Sequence, residues 1–200
     1  MKFYEVTGSL SEPITKVHEW IEEAENKSVS LPHAMNISSV NAEGRPSSRM
    51  VLLKRISPEG FVFFTDYEGN KGKQIQAFPF VSLTFWWAKT NKQIRIEGKC
   101  QMVSDQENDE YFFSRPRGSQ ISASVSLQSQ EIESYAKLVE KSELFENDHI
   151  NQDIARPKRW GGFLVEPEYI EFWIDQKNRL HKRELYTKET SGWKKTLLSP

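Results

Sequence analysis

Hydrophobic positions change their period several times along the chain. From residue 12 to residue 24 they recur at Ile14, Val17, Trp20, Ile21 and Ala24, the spacing of one helical face. Pro13 suits the first turn of that helix, because its φ is already helical and its missing N–H has no partner to lose there. Residues 1–12 show no period and read as a flexible arm. From Ala34 the repeat shortens. Met35, Ile37 and Val40 lead into Asn41-Ala42-Glu43-Gly44, and residues 48–55 return, which reads as a hairpin. Residues 60–65 form a short buried strand, 81–87 another and 93–103 a third. In the last, Gln93, Arg95 and Glu97 share one face while Ile94 and Ile96 share the other.

Helical spacing resumes at 107–113 and stops at Arg115-Pro116, since a residue before proline avoids the helical region. Residues 119–126 fit a short helix and 132–145 a longer one. Residues 147–158 are polar, contain Pro157 and read as a loop. Strands return at 162–165, 169–174, 179–187 and 193–198. The sum is roughly seven or eight strands with three or four helices, the strands in hairpin succession. That order predicts a mainly β fold, an antiparallel barrel with appended helices, spanning residues 13–200 as one domain. No GxGxxG and no GxxxxGK[ST] occurs, so the usual dinucleotide and triphosphate loops are absent.

Charge and cysteine usage narrow the possibilities. Lys and Arg total 27 against 28 Asp and Glu, a net charge of -1. A general nucleic-acid binder would show a basic excess. Cys100 is the only cysteine, which excludes an intrachain disulfide and a cysteine metal cluster. His18, His33 and His149 have no ligand spacing, and no metal is expected. No run approaches the ~20 apolar residues of a membrane span, and the N-terminus lacks a secretory core. The expectation is a soluble, cytoplasmic protein with no membrane or nucleic-acid partner.

Two segments carry chemistry. Residues 114–129, SRPRGSQISASVSLQS, gather Arg115, Arg117, several hydroxyls and two glutamines. Arg179, His181 and Arg183 alternate, so on a strand all three would share a face. Neighbouring cations repel unless an anion lies between them. A phosphorylated ligand satisfies both segments. By themselves the same residues also fit a solvated edge strand and an exposed loop after a helix.

The chain resembles the pyridoxine/pyridoxamine 5'-phosphate oxidase family. The matching segments, in family order, are RMVLLK (49–54), GFVFFT (60–65), KQIRIEG (92–98), YFFSRPRGSQI (111–121), SLQS (126–129), WGGF (160–163), IEFW (170–173), RLHKR (179–183) and the GW…LSP ending. The resemblance implies an FMN-binding split β-barrel and a homodimer with two active sites at the subunit interface. It implies oxidation of pyridoxamine 5'-phosphate and pyridoxine 5'-phosphate to pyridoxal 5'-phosphate. In that reaction a hydride passes from the substrate's C4' to flavin N5, and dioxygen becomes hydrogen peroxide.

Carried over by position, the resemblance assigns FMN contacts to Arg49, Met50, Val51, Leu52, Lys54, Phe64, Thr65, Lys71, Gln93, Gln128, Ser129, Trp173 and Arg183. It assigns the substrate phosphate to Lys54, Tyr111, Arg115 and Ser119. Arg179 and His181 become the catalytic pair that holds the pyridine ring. The chain departs from the family pattern at Asn70, Ser122, Ser124, Lys182 and Leu197, where Arg, Gly, Trp, Asp and Arg are usual. The alternative functions are an FMN oxidase of the same fold with another small substrate, and a carrier of FMN or pyridoxal 5'-phosphate with little turnover. Loss of the SRPR segment would mark the first alternative, and the chain retains it.

Overall fold

The computed structural model of the protein describes residues 3–200. Among them, ten strands form one sheet: β1 (Glu5–Val6), β2 (Ala34–Val40), β3 (Pro46–Leu52), β4 (Arg55–Ser57), β5 (Gly60–Asp66), β6 (Phe80–Trp87), β7 (Lys92–Met102), β8 (Trp160–Ile174), β9 (Lys182–Glu189) and β10 (Gly192–Leu198). Five α-helices accompany them: α1 (Glu12–Asn26), α2 (Asn70–Ala77), α3 (Asp105–Ser114), α4 (Arg117–Val125) and α5 (Tyr135–Asp148). The strands run in the order β1-β4-β5-β8-β7-β6-β2-β3, and β9 joins β8 to β10. Every pairing is antiparallel except β1 with β4.

The split in this curled sheet lies in β8. Its first part pairs with β5 (Phe61↔Val165 to Asp66↔Trp160), and its last part pairs with β9 (Tyr169↔Thr187 to Ile174↔Lys182). On the other side β7 follows both parts. The alternation expected for 93–103 holds: Ile94, Ile96 and Cys100 are buried beside Phe85, Phe163 and Phe172 in the main core. Each such aromatic contributes about 1.5–3 kcal/mol by leaving water. Helix α1 lays Ile14, Val17, Ile21 and Ala24 on this core, with Trp20 edge-on to Phe172 at 5.0 Å. A second cluster of Phe112, Ile121, Val125, Ile154 and Trp160 sits under α3 and α4.

The fold departs from the sequence pattern in several places. β8 is one strand across Pro167, where two were expected. The proline falls where the β7–β8 register shifts between Glu97 and Gly98, a position that tolerates a missing ladder N–H. Gly98 is required at that crossing, since a Cβ there would lie 2.1 Å from the Glu166 carbonyl oxygen. Helix α2 is not announced by its sequence, NKGKQIQA, in which Ile75 is the one large apolar residue. The arm contains β1, and the Glu5 N–H donates to the Lys54 carbonyl at 2.9 Å.

The expected strand from residue 179 is also overturned. Lys177–Arg179 form a 3-10 turn, and β9 begins at Lys182. Asn178 and Arg179 take left-handed φ values of 58° and 60°, so Arg179, His181 and Arg183 do not share one strand face. No helix among the described residues is long and apolar enough to cross a membrane.

Candidate functional site

The strongest constellation gathers around a cleft of about 290 Å³ between β3, β5, α2 and the α3–α4 junction. Its walls include Met50, Val51, Leu52, Lys54, Phe64, Thr65, Lys71, Tyr111, Arg115 and Gln128, all assigned in advance, together with Trp160. The chain itself explains how Lys54 reaches it. β3 stops at Leu52 and β4 starts at Arg55, so Arg49 and Lys54 lie neither on one unbroken strand nor across a bulge. The turn between the strands is pinned by Leu53 N–H on the His33 carbonyl (3.0 Å) and Lys54 N–H on the Val62 carbonyl (2.8 Å).

Tyr111 comes from the last turn of α3, and Arg115 is the residue that ends it. Their spacing puts them on neighbouring positions of one helix face. Phe64 stacks on Tyr111 at 3.9 Å between centroids, and Trp160 lies parallel to both, 5.4 Å from Phe64 and 6.1 Å from Tyr111. The Arg115 guanidinium lies 4.4 Å from the Trp160 ring centroid. This aromatic wall shields one side of Arg115 from water, which strengthens any charge it meets.

Electrostatics fit an anion. The cleft walls carry three cations, Lys54, Lys71 and Arg115, and no carboxylate. Burial, aided by repulsion from Arg115, lowers the Lys54 pKa, and burial also lowers that of Arg115. The Arg115 Nη1 atom is buried without a hydrogen-bond partner. A buried donor of this kind is costly unless a ligand accepts from it. Lys71 is buried, and its ammonium donates to Thr65 Oγ1 at 2.7 Å and to Gln128 Oε1. Burial and the nearby Arg49, partly offset by Asp66, bring Lys71 down to about 8. Arg49 stands behind this group, donating to Ser39 and Ser47 hydroxyls, both at 2.6 Å, and to Gln74 Oε1 at 3.3 Å. The donors therefore suit a phosphate-bearing cofactor and a phosphate-bearing substrate.

The other assigned residues stand apart from this cleft. Ser119 lies in the first turn of α4, its N–H on the Pro116 carbonyl at 2.8 Å. Ser129 has φ 70° and accepts the Asn70 N–H at 3.2 Å. Gln93, Trp173 and Arg183 form a single row across the sheet, Gln93 opposite Trp173 and Trp173 opposite Arg183. His181 leans on Trp173 at 4.5 Å, with Nδ1 3.1 Å from Asp175 Oδ1. Arg179 is exposed on its turn. None of these seven residues lines the cationic cleft.

Some supporting residues were missed by the sequence reading. Arg159 donates to the Ala123, Ser124 and Ser126 carbonyls at 3.0–3.1 Å and pairs with Asp66 at 3.3 Å. It thereby ties the C-terminus of α4 to β5, where a cation suits the helix dipole. Asn108 accepts the Gly162 N–H at 2.7 Å and donates to the Tyr67 hydroxyl at 3.2 Å, fixing α3 to β8. Neither contact has a local sequence signal, because each joins residues more than thirty positions apart through the fold alone.

Comparison with known proteins agrees with this geometry. The family described as pyridoxamine 5'-phosphate oxidase matches residues 21–146, and the pyridoxine 5'-phosphate oxidase C-terminal dimerisation region matches residues 160–200. A pyridoxine/pyridoxamine 5'-phosphate oxidase of Haemophilus influenzae (strain 86-028NP) is 45% identical over 188 residues, covering 94% of this chain and 89% of its own. One from Rubrobacter xylanophilus is 42% identical over 193 residues, covering 96% and 89%. Among solved structures, PhzG from Burkholderia lata 383, in complex with tetrahydrophenazine-1-carboxylic acid, superposes with a TM-score of 0.90 at 30% identity, covering 95% of this chain and 93% of that one. With a split barrel, a cationic cleft and relatives matching over most of its length, the chain belongs to the pyridoxamine 5'-phosphate oxidase family.

Proposed function

We propose that this protein oxidises pyridoxamine 5'-phosphate and pyridoxine 5'-phosphate to pyridoxal 5'-phosphate, with FMN as its cofactor and dioxygen as the final acceptor. The observation that carries the reading is the meeting of Lys54, Tyr111 and Arg115 in a cleft whose walls hold no carboxylate. A phosphate dianion placed there would receive a point charge, a phenol O–H and the free N–H of the Arg115 fork. Arg49, Lys71, Thr65 and Gln128 form the neighbouring set that would hold the FMN phosphate, supported by Lys71 sitting buried between neutral acceptors. Ser119 and Ser129 are the hydroxyl contacts assigned by family position.

The chemistry a bound FMN would supply is acceptance of a hydride from the substrate's C4' carbon and its passage, with a proton, to dioxygen, which would leave as hydrogen peroxide; with the amine substrate, water would then convert the C4' imine to the aldehyde and release ammonia. The protein's own task is to hold the donor carbon in line and out of water. We assign the ring clamp to Arg179 and His181, with Gln93, Trp173 and Arg183 on the flavin. Within one chain these residues stand away from the cleft, which supports a homodimer in which each site takes the cleft from one copy and the Trp173 row from the other. The family's dimerisation region, matched over residues 160–200, includes Trp173 and Arg183 of that row, together with Arg179 and His181.

The test is an aerobic assay of FMN-supplemented protein with pyridoxamine 5'-phosphate, following pyridoxal 5'-phosphate by its imine absorbance. Arg115→Ala should raise KM by about 10–100-fold, the loss of one charged hydrogen bond of ~1.5–3 kcal/mol. Arg179→Ala should lower kcat at saturating substrate. Bound FMN with no turnover would sink the assignment. Oxidation of a tetrahydrophenazine carboxylate in its place would favour the second reading, a same-fold oxidase with another substrate, which the likeness to PhzG supports.

A further inference from the structure

Glu171 is a buried carboxylate, 7% exposed, on the same face of β8 as Trp173, two residues away. Burying a carboxylate is costly unless it is fully paired. Here both oxygens are engaged. Oε1 accepts Arg183 Nε at 2.7 Å, and Oε2 accepts Arg183 Nη2 at 3.1 Å and Arg95 Nη1 at 3.2 Å. The remaining terminal nitrogen of Arg183, Nη1, donates to the Ser199 carbonyl at 2.9 Å. Three of the five guanidinium N–H groups are thus fixed by the protein, and two are left for a ligand. Arg95 also donates to Glu97 at 2.6 Å, so it takes only part of the Glu171 charge.

We infer that Glu171 is a positioning residue for cofactor binding: it holds the Arg183 fork in the orientation that presents its two free N–H groups to the flavin. This rests on the reading of Arg183 as an FMN contact and deepens it by naming what sets the geometry. The Arg183 side chain has four rotatable bonds, and a single arginine contact loses much of its strength if those bonds must be ordered on binding. A two-pronged carboxylate removes that cost beforehand. The charge alone acts in the opposite direction. A carboxylate near a phosphate-bearing ligand repels it, so by Coulomb's law its removal would tighten binding.

That opposition makes the inference testable. The full-length chain is stripped of flavin and titrated with FMN, following the quenching of FMN fluorescence and the absorption spectrum of the bound flavin. Glu171→Gln should weaken FMN binding by about tenfold, and Glu171→Asp, which keeps the charge, should restore part of it. In an Arg183→Ala background, Glu171→Gln should cause no further loss, because there is no fork left to orient. Unchanged or tighter binding by Glu171→Gln would overturn the inference. So would an equal loss in both backgrounds, which would mark an effect of Glu171 that does not pass through Arg183. If Arg183→Ala itself leaves FMN affinity unchanged, the reading of Arg183 fails and the inference falls with it. If Glu171→Gln does not fold, Glu171→Asp carries the same cycle, with a smaller loss expected in the native background and none in Arg183→Ala.

Discussion

Lys71 shows how a single buried cation prepares a site. Its ammonium meets the Thr65 hydroxyl and the Gln128 carbonyl oxygen, which satisfy hydrogen bonds but supply no charge. Burial and the neighbouring Arg49 hold it near 8, well below the usual lysine value. Between about pH 8 and 10.5 the unfolded chain therefore binds more protons than the folded one, and the Lys71 penalty is relieved as pH rises through that window. A phosphate dianion beside it would push the value back up. FMN binding at pH 9 should then take up a proton through Lys71, while binding at pH 7 should not. Calorimetry in two buffers of different ionisation heat measures this, and Lys71→Met should abolish the difference. Equal proton counts at both pH values would remove Lys71 from the phosphate site. Lys54 and Arg115 face the same penalty from burial.

At the scale of elements, α1 is tied to the β9–β10 hairpin by one carboxylate. Glu184 is buried and is reached by Lys16 from α1, by Lys182 at 2.9 Å and by Lys195 from β10 at 3.1 Å. Burial alone would raise its pKa, but hydrogen bonds from the three lysines prevail and bring it to about 2. The group contributes stability above its ordinary value near 4.5, lost as pH falls from there toward 2. The lysine side chains are 22%, 55% and 43% exposed, so solvent screens part of the attraction. Glu184→Gln should cost about 2 kcal/mol at pH 7. In urea melts the gap to the unaltered chain should narrow as pH falls below 4.5 and close only near pH 2; a gap of constant size across that range would point to packing instead of charge. The Gly98–Glu166 crossing is the other element-level constraint, a backbone contact that admits no side chain.

At the scale of the whole molecule, the site residues fall into two groups within one chain. The Lys54–Tyr111–Arg115 cleft lies at the α3–α4 junction, and the Gln93–Trp173–Arg183 row lies across β7, β8 and β9. If two copies complete each other's sites, inactive variants should complement. Arg115→Ala impairs the cleft and Arg179→Ala the clamp, so with substrate well below the raised KM of Arg115→Ala both parents are nearly silent. Unfolded together and refolded, they should form statistical dimers, half of them mixed, each with one intact site. The expected recovery is roughly a quarter of the unaltered activity. No recovery, with mixed dimers demonstrated by differential tagging, would mean that each chain builds its site alone.

The alternation of Ile94 and Ile96 against Gln93, Arg95 and Glu97 was legible because one face of β7 is buried and a strand's period is two. The face of α1 was legible for the corresponding reason at the helical period. The ordered motifs, RMVLLK through RLHKR, carried the family and most of the cleft residues, since those side chains answer to a ligand and are written locally in the chain. Helix α2 was not legible, because eight polar-rich residues have no periodic signal and its packing against β2 is what holds it. The left-handed turn at Asn178 and Arg179 was hidden by an alternating RLHKR that imitates a strand. The sequence by itself determined which segments pair a buried face with a wet one and which segments carry the cations, hydroxyls and amides that line the cleft. Only the tertiary structure decided where β8 divides its partners, which carboxylate orders Arg183 and that the site falls into two parts, because these depend on contacts between residues far apart in the chain.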